Sequence, residues 1–294
     1  MRFENIRVMN FENALRGMRN PKESYHLIDS AFGLGNFEDC ETDFDVIESW
    51  IDHLEIDRLN EDERDFAFAK LDNWLIKNGV LYKCGDFFEY AFIGPKDMRL
   101  AQQLIRGGSE HRKFMRQIFI SVDITAPLYW WKEFDTYKVG TTANSTSTMH
   151  TICNKPITLD CFEIDDFENI EYPPECQRSE IQSQCDKDFV QMVLIPYLEY
   201  LRQKYVETKD NKYWKELIRW LPESWQQTRT VTMTYENALA IGRQRRHHKL
   251  NEWTGNKVEV DESFMQFLRN LPYAQEFIFI DEFSEGTKFP AIDF

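Results

Sequence analysis

The sequence has 294 residues, 42% of them hydrophobic and 15% aromatic, which is enough to bury one large core and far from the composition of a disordered chain. Its 50 acidic residues against 35 Lys and Arg give a formal charge of −15, which repels phosphate backbones, excludes double-stranded nucleic acid as an expected partner, and requires any bound anion to be met at a local basic pocket. No run of about 18 apolar residues occurs and charges interrupt residues 1–17, so neither membrane insertion nor secretion is expected, and the expected location is cytoplasmic. The six cysteines form no CxxC pair and are expected to be reduced, with no metal site.

Along the chain, residues 1–99 read as an N-terminal extension packed on or beside a core of residues 100–294. Within it, residues 36–65 are strongly acidic, with Val46, Trp50, Ile51 and Leu54 at helical spacing, which predicts a solvated acidic helix face. Residues 113–124, KFMRQIFISVDI, read as a strand, and Glu276 to Ile280 as a second strand candidate. Thr125 followed by Ala126 and Pro127 predicts a helix start, with Trp130, Phe134 and Tyr137 on one buried stripe and Gly140 as the stop. Residues 141–149, TTANSTSTM, place six hydroxyls in nine positions, too polar for a core strand, and are expected to form an ordered loop or one that orders on a ligand. Residues 163–187 are acidic, carry Pro173 and Pro174, and are expected to be a surface excursion. Val190 to Leu201 predict a helix kinked at Pro196.

The most unusual segment is the helix expected from Tyr235 to Trp253. Leu239, Gly242, Arg243, Arg246, Leu250 and Trp253 fall on one face, so arginines share an apolar stripe. Burying an unpaired guanidinium is costly, so each arginine should meet a bound anion or a carboxylate such as Glu236 or Glu252. The bland alternative is a basic helix C-terminus complementing the macrodipole. The hydroxyl-rich segment could wrap a phosphate with hydroxyls and amides. His111 is a lone histidine, a residue more often structural than functional. No Walker loop, GxGxxG, HExxH or GxSxG pattern is present.

Taken in order, three segments between residues 100 and 255 resemble the flavin-dependent thymidylate synthases. Gly108, Ser109, Glu110, His111 and Phe114 look like that family's Glu-His segment with Phe three residues on. Ala126 and Pro127 match its Ala-Pro helix start, and the helix runs the same length to its Arg-His-Arg flavin motif, which here reads Thr136, Tyr137, Lys138. Beyond it, Asn144, Ser147, Met149 and His150 align with a serine, an asparagine and a Ser-x-Arg-Tyr ending if one residue is inserted. Arg219, Leu221, Pro222, Thr228 and Arg229 resemble its Arg, Leu-Pro and Thr-Arg. The helix that follows pairs an arginine with a histidine and a glutamate, matched by Arg243 with His247 or by His248 with Glu252.

The resemblance implies an α/β (α+β) fold, a sheet with flanking helices, and an active site formed between subunits of a homotetramer. It implies FAD as cofactor, with NADPH and methylenetetrahydrofolate as co-substrates, and one-carbon transfer to C5 of a pyrimidine deoxynucleotide such as dUMP. By the same resemblance His111, Tyr137, Lys138 and His248 would contact the cofactor. Glu133, Asn144, Ser147, Arg219 and Arg246 would contact the substrate, and Arg243 and Ser147 would be catalytic, Arg243 by opposing charge that develops on the pyrimidine. Two of the three flavin-motif cations and the arginine of the Ser-x-Arg ending are replaced. Two rival readings follow from this: a non-catalytic scaffold of the same fold, serving as a nucleotide-binding or protein-interaction module, or a flavoenzyme acting on another pyrimidine nucleotide.

Overall fold

The structure, a computed structural model, describes residues 1–36, 81–84, 87–164, 186–255 and 263–282. The acidic helix expected around Val46 to Leu54 and nearly all of the excursion at 163–187 lie outside the described residues. A four-stranded sheet runs β1 (Arg2–Met9), β5 (Phe119–Pro127), β7 (Gln226–Thr234), β6 (Thr142–Ser145), in that spatial order. The chain also forms a three-stranded sheet of β2 (Ala31–Asn36), β4 (Phe87–Phe92) and β3 (Leu81–Cys84), both pairs antiparallel. This is the mixed helix-and-sheet class expected from the sequence, with helices flanking the larger sheet. Two compact units share the chain: Met1–Ile6, Val122–Thr232 and Gly255–Glu262 form the first, and Arg7–Ser121, Met233–Thr254 and Ser263–Phe294 the second. The chain passes from one unit to the other inside β1, β5 and β7.

In the first unit, β6 pairs antiparallel with β7, setting Asn144 opposite Thr230 and Ser145 opposite Arg229. β5 and β7 are also antiparallel: Thr125 meets Thr228 (2.7 Å) and Asp123 meets Thr230 (2.5 Å), so the contacts descend one strand as they climb the other. Period-two alternation gives the strands two unlike faces. Val122, Ile124, Ala126 and Val231 are buried on one, while Asn5, Asp123 and Thr230 form a polar row on the other. Helix α3 (Leu128–Phe134) buries Trp130, Trp131 and Phe134, with Trp130 and Phe134 stacked at 5.1 Å.

Thr125 does not cap α3: Ala126, the residue before Pro127, is driven away from helical dihedrals and cannot open a helix, so Thr125 stays in β5, bonded to Thr228, and Pro127 becomes the N-cap. The hydroxyl-rich segment is in part a strand, β6, whose exposed side chains are tolerated because it lies at the sheet edge. Pro196 does not kink a helix at mid-span: it lies in the first turn of α6 (Ile195–Thr208), after a π-helical stretch Val190–Leu194 that absorbs the backbone contact a proline ring forbids. Helices α4 (Thr148–Thr151), α5 (Asp186–Phe189) and α7 (Asn211–Arg219) also belong to this unit, and Ile152, Phe162, Leu198, Leu201 and Leu217 form an apolar core cluster within it.

In the second unit, α1 (Phe11–Met18), α2 (Pro95–Arg106), α8 (Tyr235–Arg245), α9 (Asn251–Thr254), α10 (Phe264–Arg269) and α11 (Ala274–Phe277) gather around Phe11, Phe114, Tyr235, Tyr273 and Phe277 in edge-on and tilted ring contacts. The expected strand at 113–124 begins only at Phe119, after a 3-10 turn at Lys113–Arg116. The strand expected at Glu276 to Ile280 is instead the end of α11 and the turn beyond it: Phe277 and Ile278 bond back to Tyr273 and Ala274, a helical pattern whose apolar run is too short for periodicity to distinguish from a strand. The helix expected from Tyr235 to Trp253 is two, α8 ending at Arg245 and α9 starting at Asn251.

Candidate functional site

In the first unit, α3 ends at Phe134, and Asp135, Thr136, Tyr137 and Lys138 follow in a turn closed by hydrogen bonds from Thr136 N to the Glu133 carbonyl (3.1 Å) and from Tyr137 N to the Phe134 carbonyl (3.0 Å). Tyr137 leans its ring on Phe134. Lys138 is exposed and forms no ion pair among the described residues. Gly140 takes a left-handed φ of 79°, which turns the chain into β6.

β6 carries Asn144, exposed and level with Thr230 on the polar face. That face is anchored by Asp123, whose carboxyl is held below the usual range by hydrogen bonds from Thr230 and then Asn5. Immediately after β6, Ser147 Oγ lies 2.7 Å from His150 Nδ1, and the Ser147 carbonyl accepts from His150 N, Thr151 N and Thr151 Oγ1. Both side chains are open to solvent. Indole Nε1 of Trp214 donates to the Met149 carbonyl, further fixing the turn.

Two β7 residues tie these segments down. Arg229 lies 4.2 Å over the Trp131 ring, donates to Asp135 Oδ1 (2.7 Å) and, through Nε, to Gln227 Oε1 (3.0 Å). Gln227 Nε2 donates to the Thr146 carbonyl (2.9 Å). Sequence reasoning noted Arg229 only as part of a Thr-Arg match, gave no role to His150, and missed Gln227 and Asp135. The available signal was the Gln-x-Arg alternation, which puts both side chains on one face of a strand. Arg219, at the end of α7, is exposed and pairs with Glu216, while Glu133 stands half-buried on α3.

In the second unit, His111 follows Gly108, whose φ of 99° is left-handed, and its N–H donates to the Gly108 carbonyl. Arg243 Nε donates to Asp281 Oδ2 at 2.6 Å, and Arg246 lies 3.6 Å from Glu282, which also takes Arg269 at 3.0 Å. The arginines therefore do meet carboxylates, but neither of the two suggested by helical spacing: Glu236 is taken by Arg112 at 2.8 Å. Arg245 covers the Trp253 ring at 4.9 Å, and His248 Nδ1 accepts from Leu250 N in the turn that separates α8 from α9. Burial pushes the Glu252 carboxyl up.

No family model and no curated protein matches this chain. Among solved structures, it is similar to flavin-dependent thymidylate synthases and to a pyrimidine nucleotide methylase. Two are structures of ThyX from Helicobacter pylori with FAD and dUMP. The first is 15% identical over 64% of this chain and 84% of that one, with a TM-score of 0.41, and the second 16% identical over 64% and 83%, with a TM-score of 0.42. The third is the UMP/dUMP methylase PolB from Streptomyces cacaoi bound with 5-Br UMP, 13% identical over 53% of this chain and 67% of that one, with a TM-score of 0.36. No described helix is long and apolar enough to cross a membrane.

Proposed function

We propose that the protein is a flavin-dependent enzyme that transfers a one-carbon group to C5 of a pyrimidine deoxynucleotide, dUMP first among them. The observation that carries this reading is that the two segments assigned by resemblance to flavin and to nucleotide, Tyr137 with Lys138 and Asn144 with Ser147, both stand open on the first unit and are anchored to the same strand, β7. Lys138, without an ion pair among the described residues, and the Tyr137 ring fit one phosphate and one aromatic face of FAD. The resemblance places the site between subunits, so the reading includes a homotetramer, in which a neighbouring subunit would supply a cation for the second charge of the pyrophosphate. FAD would supply the hydride-carrying chemistry.

In this reading Asn144 and Ser147 orient the pyrimidine, Glu133 lines its pocket, Arg219 and Arg246 hold the phosphate, and Arg243 opposes developing charge on the ring. His111 and His248 contact the cofactor, with NADPH and methylenetetrahydrofolate as co-substrates. The protein would work in the cytoplasm, with residues 1–99 as an extension to the catalytic core. A second reading, a non-catalytic nucleotide-binding or protein-interaction module, is favoured by one observation: Arg243 and Arg246 already have internal carboxylate partners.

Mass spectrometry of small molecules released from the denatured protein, with calorimetric titration of dUMP, separates the two. Released FAD with a measurable heat of dUMP binding is expected; neither FAD nor binding sinks the enzyme reading. Light scattering giving a monomer of 35.2 kDa removes the tetramer.

A further inference from the structure

The Ser147 turn is held by side chains whose chemistry permits very few alternatives. Gln227 and Arg229 are two apart on β7 and so project to the same side of the strand, and the main-chain carbonyl of Gln227 accepts from Trp131 Nε1 at 2.9 Å. Thr228, between them, points to the other face and bonds Thr125. Arg229 offers donors only, and the Thr146 carbonyl is an acceptor only. A side chain bridging them must present an acceptor to one and a donor to the other. The Gln227 amide does so, with Oε1 accepting from Arg229 at 3.0 Å, and Nε2 donating to Thr146 O at 2.9 Å and to Thr148 Oγ1 at 3.4 Å. At its other end Arg229 grips Asp135, the residue directly before Thr136, Tyr137 and Lys138.

We infer that Gln227 is a positioning residue: through its amide, β7 fixes the Ser147–His150 turn, and through Arg229 it holds that turn in register with the Tyr137–Lys138 segment. The inference rests on the proposed reading only in taking the two segments as ligand-binding; the mechanical coupling itself is a property of the first unit. Thr146 N and Oγ1 both donate to the Thr228 carbonyl (2.9 and 3.1 Å), and Trp214 Nε1 holds the Met149 carbonyl, so the backbone of the turn has other anchors. What the amide adds is a side-chain tie that engages Arg229 as well, so that its loss uncouples the turn from the Tyr137–Lys138 segment.

Gln227→Glu tests this. A carboxylate keeps Arg229, and more strongly, but turns an acceptor toward the Thr146 carbonyl and repels it. In the full-length protein we expect an unchanged melting temperature, a displaced set of His150 ring resonances, assigned by their loss in His150→Gln, and dUMP affinity lowered about tenfold. Gln227→Met, which removes both partners without adding charge, is the companion if the carboxylate variant fails to fold, and should move the same resonances. His150 resonances that stay in place in the folded variants overturn the inference whether or not dUMP binds. Wild-type protein that binds neither FAD nor dUMP sinks the functional reading alone, because displaced resonances would still establish the positioning role. Displaced resonances with unaltered dUMP affinity also overturn it as a statement about the site.

Discussion

Arg19 and Asp97, 78 residues apart, form an ion pair closed to water: Arg19 Nε donates to Asp97 Oδ1 at 2.8 Å, and the side chains are 5% and 0% exposed. The other carboxylate oxygen accepts from Ser30 Oγ (2.6 Å) and from Asp29 N (3.2 Å). Asp97→Asn leaves a buried guanidinium without its counter-charge and should cost about 3–5 kcal/mol, read from urea unfolding. A loss below about 1 kcal/mol would mean the pair is open to water in solution.

Gly94, the N-cap of α2, lies against Asp29, whose carboxylate caps the helix by accepting from Lys96 N and Asp97 N. A Cβ at Gly94 would lie 2.0 Å from the Asp29 carbonyl oxygen, and the obstacle is backbone rather than a movable side chain. Gly94→Ala should therefore destabilise the protein by roughly 1–3 kcal/mol. An unchanged unfolding midpoint would rule out that close approach.

Glu199 accepts from Arg202 and from Ile157 N, and Arg202 in turn donates to the Cys153 carbonyl. The Arg202 guanidinium, with help from Ile157 N and Gln203, holds the Glu199 carboxyl down to about 2. A carboxyl depressed in the folded state contributes stability that is full above its unfolded value, near 4.5, and is lost as pH falls through the folded one. Stability should thus decline between about pH 4.5 and pH 2, and Glu199→Gln, costing roughly 1.5–3 kcal/mol at neutral pH, should flatten this decline. Parallel pH profiles for the two proteins would contradict the assignment.

Lys138→Glu should weaken flavin retention while leaving the melting temperature nearly unchanged, since the side chain is exposed and makes no ion pair among the described residues. Absorbance of the purified variant in the flavin band is the readout. Equal flavin content in variant and wild type removes Lys138 from the cofactor site.

Arg243 separates the two functional readings. Its pair with Asp281 is partly exposed, 32% and 44%, so Arg243→Ala should cost no more than about 1 kcal/mol in stability. If the arginine also serves a nucleotide, the same variant should weaken dUMP binding by roughly 1.5–3 kcal/mol. Unaltered affinity would leave it a purely structural partner of Asp281.

Local signals carried far in this sequence, and non-local ones did not. The tryptophan and phenylalanine spacing placed α3, and the composition of residues 141–149 marked an exposed segment. The Thr125 cap failed because a strand-to-strand contact with Thr228, 103 residues away, holds it extended. β6 is a strand only because β7 supplies its partner. The arginine stripe correctly demanded counter-charges, yet Asp281 and Glu282 lie well outside the helical window in which Glu236 and Glu252 were sought. Gln227 and Asp135 were invisible for the same reason: each acquires its role from a residue about 80 to 95 positions away.

The path of the chain through its two units also governs how it comes into being. Asn5 bonds Asp123 across 118 residues, so β1 waits on the ribosome for its partner until that length of chain has been made. β5 then waits a further hundred residues for β7. Pairings of such long range close slowly, and the unpaired edges of β1 and β5 stay available to other chains in the interval. The larger sheet therefore cannot close until β7 has been made, and its formation should be sensitive to translation rate and chaperone supply.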